Sequence, residues 1–361
     1  MKTVLLFDPA PPRLRWVCYN EGILDSGVCD PDNTSISSVS TGLRDKCEID
    51  AVGYVLYNGG KRITNSGEIV TSPVLASLEG SIGILPEYNE LTYKAVNNTI
   101  QNLRSVPHIV LCETGLFSNM PPESSTYAVP AELRERELRR YGGYGLEHEW
   151  SLAQTKRMVG TDLKRIVSVY LGGTTNVAAI LEGNAVETSI GFTPIEGIIS
   201  EGGCGDIDPT VVFYLLSSGF SLHETNHLLL EESGFKALLG KSARIEDVVG
   251  GHPGKSYDFA YRLYTYQVLK SIGAFVSVLG GVDAIVFSSS HTGKYMKFMR
   301  GLCSQLEFLG VTCSGSGPEK QPFVLSSPDS RVKVLCFAYD RWEMLAEKTN
   351  HIINMKDENH D

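Results

Sequence analysis

Short apolar, β-branched runs recur along the chain, each closed by Gly, Asn, Asp or another polar residue, and this pattern predicts strands. They cover residues 3–7, 14–19, 51–57, 108–112, 166–171, 176–181 and 284–287. Between them, apolar positions spaced three and four apart predict helices over 89–104, 130–140, 151–159, 209–217, 221–232 and 257–279. Strands alternating with helices mark an α/β protein. Residues 2–19 and 164–181 share one plan, a strand, a turn containing Gly or Pro, and a second strand, which points to a duplicated architecture. The charged run 132–140 leads into Tyr141-Gly142-Gly143 and reads as an exposed helix ending at a hinge. The domain boundary is therefore expected near residue 150, giving domains 1–150 and 151–361, and the acidic tail 355–361 is expected to fray.

Composition narrows the function classes. The chain has 361 residues, 42% hydrophobic and 20% charged, enough for two ordinary domains with substantial cores. Its net charge is −10, and it has no local basic stripe, so nucleic acid and anionic lipid are not expected partners. Only Val4 to Phe7 are apolar before Asp8, fewer than the roughly 7 to 15 residues of a secretion signal. Gly280, Gly281 and Asp283 interrupt the most apolar later stretch, short of the roughly 20 residues of a membrane span. A cytoplasmic protein with no membrane association is expected. The eight cysteines show no C-x-x-C pair, which suits reduced, mostly buried thiols.

Three segments carry candidate chemistry. His223-Glu224-Thr225-Asn226-His227 matches H-E-x-x-H, but Ser221 lies three residues before Glu224 and forms with it the capping box of a helix start. Zinc is accordingly not expected there. Tyr170-Leu171-Gly172-Gly173-Thr174-Thr175-Asn176 reads as a strand, a glycine turn and a second strand, and the turn is either a plain hairpin or a phosphate cradle. In Gly202-Gly203-Cys204-Gly205-Asp206-Ile207-Asp208-Pro209, Asp208 is placed to cap a helix with Pro209 at its first position, leaving Asp206 freer to meet a ligand.

Thr188-Ser189-Ile190-Gly191-Phe192-Thr193-Pro194-Ile195-Glu196-Gly197 with Gly205-Asp206-Ile207-Asp208-Pro209 resembles the T-S-M-G-F-T-P-L-E-G and G-D-I-D-P blocks of the acetate kinase family. Arg140-Tyr141-Gly142 resembles that family's R-Y-G-F, and residues 327–335 resemble its final strand. The resemblance implies a duplicated, actin-like (ribonuclease H-like) two-domain α/β fold with an interdomain cleft, the last segment from about residue 338 packing back on the first domain. It also implies a homodimer that transfers the γ-phosphoryl of ATP, with Mg2+, to the carboxylate of a small organic acid such as acetate, propionate or butyrate. By the same resemblance Gly172, Gly173, Thr174, Thr175, Asn176 and Asp206 are the nucleotide-side candidates.

The departures fall on chemical positions. The family's N-A-G-S-S-S-L-K becomes Asp8-Pro9-Ala10-Pro11-Pro12-Arg13-Leu14-Arg15, leaving Asp8 as the metal-side candidate and Arg15 in place of Lys. The catalytic aspartate falls on Glu113, and the histidine that follows R-Y-G-F falls on Tyr144. The two substrate arginines fall on Val55 and Gly203, neither of which can hold a carboxylate or phosphoryl group bidentately. Arg13 and Asn58 are the remaining substrate-side candidates. Arg244 and Glu246 swap the charges of an acid and an arginine near the nucleotide, and a magnesium-side glutamate becomes Gly293. Two functions remain open: a kinase for a carboxylic acid other than acetate, with Glu113, Tyr144 and Arg15 as a rebuilt site, or a catalytically impaired, nucleotide-binding regulatory or scaffold protein.

Overall fold

A computed structural model describes residues 1–44, 46–313 and 323–358 of the chain. By their contacts they form two compact units, unit one from Met1–Asn119, Gly143–Leu146 and Tyr339–Asp361, unit two from Met120–Gly142 and Glu147–Ala338. Each unit has its own six-stranded sheet and its own apolar core.

In unit one, β1 (Val4–Ala10), β2 (Arg13–Tyr19) and β3 (Ile23–Cys29) pair antiparallel in sequence. β4 (Ala51–Leu56) lies parallel to β1, and β5 (Gly67–Ile69) is the far edge, antiparallel to β6 (His108–Cys112), which runs parallel to β4. Unit two repeats this plan. β7 (Arg165–Tyr170), β8 (Asn176–Leu181) and β9 (Asn184–Thr188) pair antiparallel, and β10 (Ala284–Ser289) lies parallel to β7. β11 (Phe323–Val324) is the edge, antiparallel to β12 (Lys333–Ala338), which runs parallel to β10. Strand order and polarity therefore agree between the two sheets, and the duplication expected from residues 2–19 and 164–181 extends to all six strands. Every residue of β4, β6 and β10 is buried, which is why these strands read as continuous apolar runs.

Helix starts follow local chemistry. Asp208 Oδ1 accepts from the Thr210 amide at 2.8 Å, with Pro209 in the first helical position of Pro209–Ser217. Ser221 Oγ accepts from the Glu224 amide at 3.2 Å, and Glu224 Oε2 accepts from the Ser221 amide at 2.8 Å. The H-E-x-x-H match thus lies in a solvent-facing first turn, and among the described residues no group of His, Cys, Asp and Glu is arranged to hold a metal ion.

Two expectations are corrected. The helix predicted over 130–140 covers only Ala131–Glu135, because Glu137 takes the left-handed conformation (φ 68°) and Arg139 forms a β-bridge with Thr126. Arg140 is then drawn inward, with Nη1 2.8 Å from Glu187 Oε1 and Nε 3.4 Å from Glu196 Oε1. Of the tail expected to fray, residues 355–358 instead continue the helix Arg341–Glu358. Residues 359–361 lie outside the described residues.

His148, on the helix Gly145–Val159, is wholly buried with Nδ1 2.7 Å from Ser168 Oγ of β7, and burial drives its imidazole down to about 3. An unfolded chain takes up this proton near pH 6.5, whereas the folded one does not until about 3. Stability should therefore fall as the pH drops from about 6.5 toward 3, by at most about 1.4 kcal/mol per pH unit from this group. His148→Gln should flatten that slope in melting curves recorded across the range; an unchanged slope would assign it to other groups.

Candidate functional site

The hairpin of β1 and β2 turns on Pro11 and Pro12, joined by a cis peptide bond, and pairs Ala10 with Arg13 and Asp8 with Arg15. The segment that stands in place of N-A-G-S-S-S-L-K is thus a two-residue turn between paired strands. Asp8 and Arg15 face each other across the ladder, with Arg15 Nη2 2.5 Å from Asp8 Oδ2. Asp8 is wholly buried, while the Arg15 side chain remains 45% exposed, its guanidinium 5.9 Å from the Trp342 ring.

Glu113 follows β6 and is equally buried. Its backbone carbonyl accepts from the Gly145 amide at 2.8 Å, and its carboxylate Oε2 accepts from the Leu146 amide at 3.3 Å. The N-terminus of the helix Gly145–Val159 therefore abuts the acid, a placement that favours negative charge. A Cβ on residue 145 would come within 2.4 Å of the Glu113 carbonyl oxygen, so glycine is needed for this approach. Tyr144, just before the helix, has a positive φ of 56°.

One guanidinium joins the two acids. Arg341 Nε lies 3.0 Å from Asp8 Oδ2, and its Nη2 lies 2.9 Å from Glu113 Oε1 and 3.5 Å from Asp8 Oδ1. The Tyr57 hydroxyl donates to Asp8 Oδ1 at 3.4 Å; burial, and then the Asp8 charge, push that phenol well above its ordinary range. All four carboxylate oxygens of Asp8 and Glu113 thus accept from protein donors. The donor set does not fit Mg2+, which takes near-octahedral oxygen ligands with carboxylate oxygens open to it.

The other unit-one candidates lie elsewhere. Arg13, more than half exposed, pairs with Asp30 at 3.0 Å. Asn58 is buried, its Oδ1 accepting from the Gly60 amide at 2.9 Å and its carbonyl from Asn89 Nδ2 at 2.7 Å. Val55, where the resemblance places a substrate arginine, is a core residue of β4.

In unit two, the loop between β7 and β8 leaves Gly173 exposed and Gly172 and Thr174 partly so. Thr175 and Asn176 point into the interior. Thr175 Oγ1 lies 2.7 Å from the Tyr264 hydroxyl, and Asn176 Oδ1 accepts from Thr188 Oγ1 at 3.0 Å and Ser189 Oγ at 2.9 Å. A Cβ at Gly172 would stand 2.4 Å from the Tyr170 hydroxyl oxygen, so the turn can fold over that phenol only with glycine. The Glu201 amide donates to Gly173 O at 3.1 Å, and Glu201 also lines a cavity of about 620 Å³ with Lys236, Arg244 and Asp247. Burial, and then the Glu246 charge, raise the Glu201 carboxyl against the Ile245 amide that its Oε1 accepts from at 3.2 Å. Asp206 lies at a different cavity, of about 330 Å³, and closes its own loop by accepting from the Gly197 amide at 2.8 Å.

Arg341 is the residue the sequence reading missed. It opens the helix Arg341–Glu358, where Asp340 Oδ1 accepts from the Trp342 and Glu343 amides at 2.8 and 3.0 Å. A cation in a helix's first turn opposes the dipole, and that mismatch was the available signal of an acidic partner.

The Acetokinase family profile matches residues 34–347. Acetate kinase of Thermotoga maritima is 32% identical over 333 residues, covering 89% of this chain and 82% of that one; acetate kinase of Fervidobacterium nodosum is 31% identical over 324 residues, covering 86% and 79%. The crystal structure of Porphyromonas gingivalis acetate kinase superposes with a TM-score of 0.86 at 24% identity, covering 98% of this chain and all of that one. That of a propionate kinase from Francisella tularensis gives 0.87 at 19% identity, covering 97% and 100%. These structures share the duplicated, actin-like α/β fold described above, and with a profile matching most of its length and relatives near 30% identity, the chain belongs to the acetate kinase family.

Proposed function

We propose that this acetate kinase family member is a nucleotide-binding protein whose phosphoryl transfer to carboxylates is impaired, serving a regulatory or scaffold role on the kinase fold. The observation that carries this reading is the Arg341 bridge. Using Glu113 as a base, or either acid toward Mg2+, means breaking a buried ion pair, at a cost of about 3 to 5 kcal/mol. The substrate has also lost two guanidinium partners, at Val55 and Gly203. For the nucleotide, the 620 Å³ cavity is of ligand size and carries Lys236 and Arg244, and Gly172, Gly173 and Thr174, in the turn that meets Glu201 of its lining, would add donors to the phosphates.

A second reading is favoured by one feature: Asp8, Glu113 and Arg341 are gathered and largely buried, with Arg15 beside them, a costly arrangement to keep without use. On that reading the chain is an ATP- and Mg2+-dependent kinase for a small organic acid other than acetate. Arg15 would then orient the acceptor carboxylate, Tyr144 would donate a hydrogen bond, and Glu113 would hold the transferring group in place.

A homodimer belongs to both readings. The helix Pro209–Ser217 buries none of its residues, and Phe213 and Tyr214 are 66% and 70% exposed beside Phe220 and Leu222. Such an apolar face suits a second copy of the chain.

Two experiments test these proposals. Saturating ATP should raise the melting temperature by several degrees, since ligand at 100 times its Kd adds about 2.7 kcal/mol. A hydroxamate assay over acetate, propionate, butyrate and other short acids should give no product above the blank. Hydroxamate formation that Glu113→Gln abolishes would instead establish the kinase, and absence of any nucleotide stabilisation would leave only a scaffold. Separately, light scattering should report a dimer that Phe213→Asp with Tyr214→Asp converts to monomer; a monomeric wild type would refute the dimer.

A further inference from the structure

Two carboxylates buried side by side repel each other and need a cation between them. For Asp8 and Glu113 that cation is part of the chain. The Arg341 guanidinium reaches Asp8 Oδ2 at 3.0 Å and Glu113 Oε1 at 2.9 Å, and its side chain is only 19% exposed. Local preference does not explain its place, because the first turn of a helix disfavours positive charge and favours an acid. With Arg15 on Asp8, the four groups sum to zero charge, and no carboxylate oxygen is left open.

We infer that Arg341 is the resident cation of a latent divalent-metal site, and that while it is in place Asp8 and Glu113 take no metal. The inference deepens the proposed loss of transfer, and rests on it only in assigning the acids to the site. Arg341→Glu would set three carboxylates against Arg15, leaving two net negative charges, and would put an acid where the helix start prefers one. Oxygen ligands with that charge suit a hard cation such as Mg2+ or Mn2+.

The test is a titration of the full chain with MnCl2 alone, followed by the electron paramagnetic resonance of free Mn2+ and checked by calorimetry. Wild type should take up no metal at millimolar concentration. Arg341→Glu should bind about one Mn2+ per chain, and adding Asp8→Asn should weaken that binding at least tenfold. Circular dichroism melts establish that each variant is folded. If Arg341→Glu does not fold, Arg341→Gln is titrated in its place and should bind more tightly than wild type. Uptake by wild type that Asp8→Asn abolishes would overturn the inference, as would a folded Arg341 variant that binds no metal. No nucleotide or carboxylic acid is present, so this result and that of the hydroxamate assay can fail separately.

Discussion

Unit one is organised around a charge that cannot be left alone. Asp8, within β1, and Glu113, just past β6 of the same sheet, are both removed from water, and in a low-dielectric interior each ionised carboxylate demands a partner. Arg341 meets both demands from a helix more than 200 residues later in the sequence. The contact therefore fixes the C-terminal helix on the first sheet: Arg341 anchors its start, while Thr349 packs against Gly53 of β4 further along. Fold and site share one interaction here, so losing the guanidinium would be felt in both.

The repeated topology explains why candidate chemistry gathers where it does. In each unit the first strand runs into a tight turn and returns antiparallel, and the neighbouring strands run parallel to the first. The same location in the two sheets then serves different ends. In unit one the turn is Pro11-Pro12, which has no amide hydrogens to offer an anion, and the polar groups come from Asp8 and Arg15 on the strands. In unit two it is Gly172-Gly173-Thr174, rich in amide donors and open to solvent. One scaffold position is thus an ion-paired hairpin in one copy and an open glycine turn in the other.

Much of this was legible in the sequence, for reasons that differ by element. Buried parallel strands such as β4, β6 and β10 announce themselves because both faces are covered and every residue but His108 is apolar or small. The starts of Pro209–Ser217 and Leu222–Glu231 were readable because capping is local chemistry. The helix Asn33–Arg44 was not, because Asn-Thr-Ser-Ile-Ser-Ser-Val-Ser-Thr is poor in helix formers and is held by packing of Ile36 and Leu43. The 130–140 segment misled for the opposite reason, since its periodicity and composition suit a helix while Arg140 is claimed by Glu187 and Glu196. At the site, Asp8, Arg15 and Glu113 were nameable through resemblance. Arg341 was not, because its partners are separated from it by most of the chain.

What stands at each of these positions follows from the same physics. An arginine facing substrate contributes charge but little packing, so a residue that fills the same backbone position without charge can be accommodated if the sheet absorbs it. Val55 is 1% exposed, a β-branched side chain in a central strand, where a guanidinium would need solvent or a ligand. Asp8 and Glu113 are more tightly tied, because each is bound into the backbone around it, Asp8 by its strand pair and Glu113 by the glycine-dependent start of a helix. A buried acid needs a partner within the protein. Arg341 supplies it, and the cluster remains charged, ordered and closed.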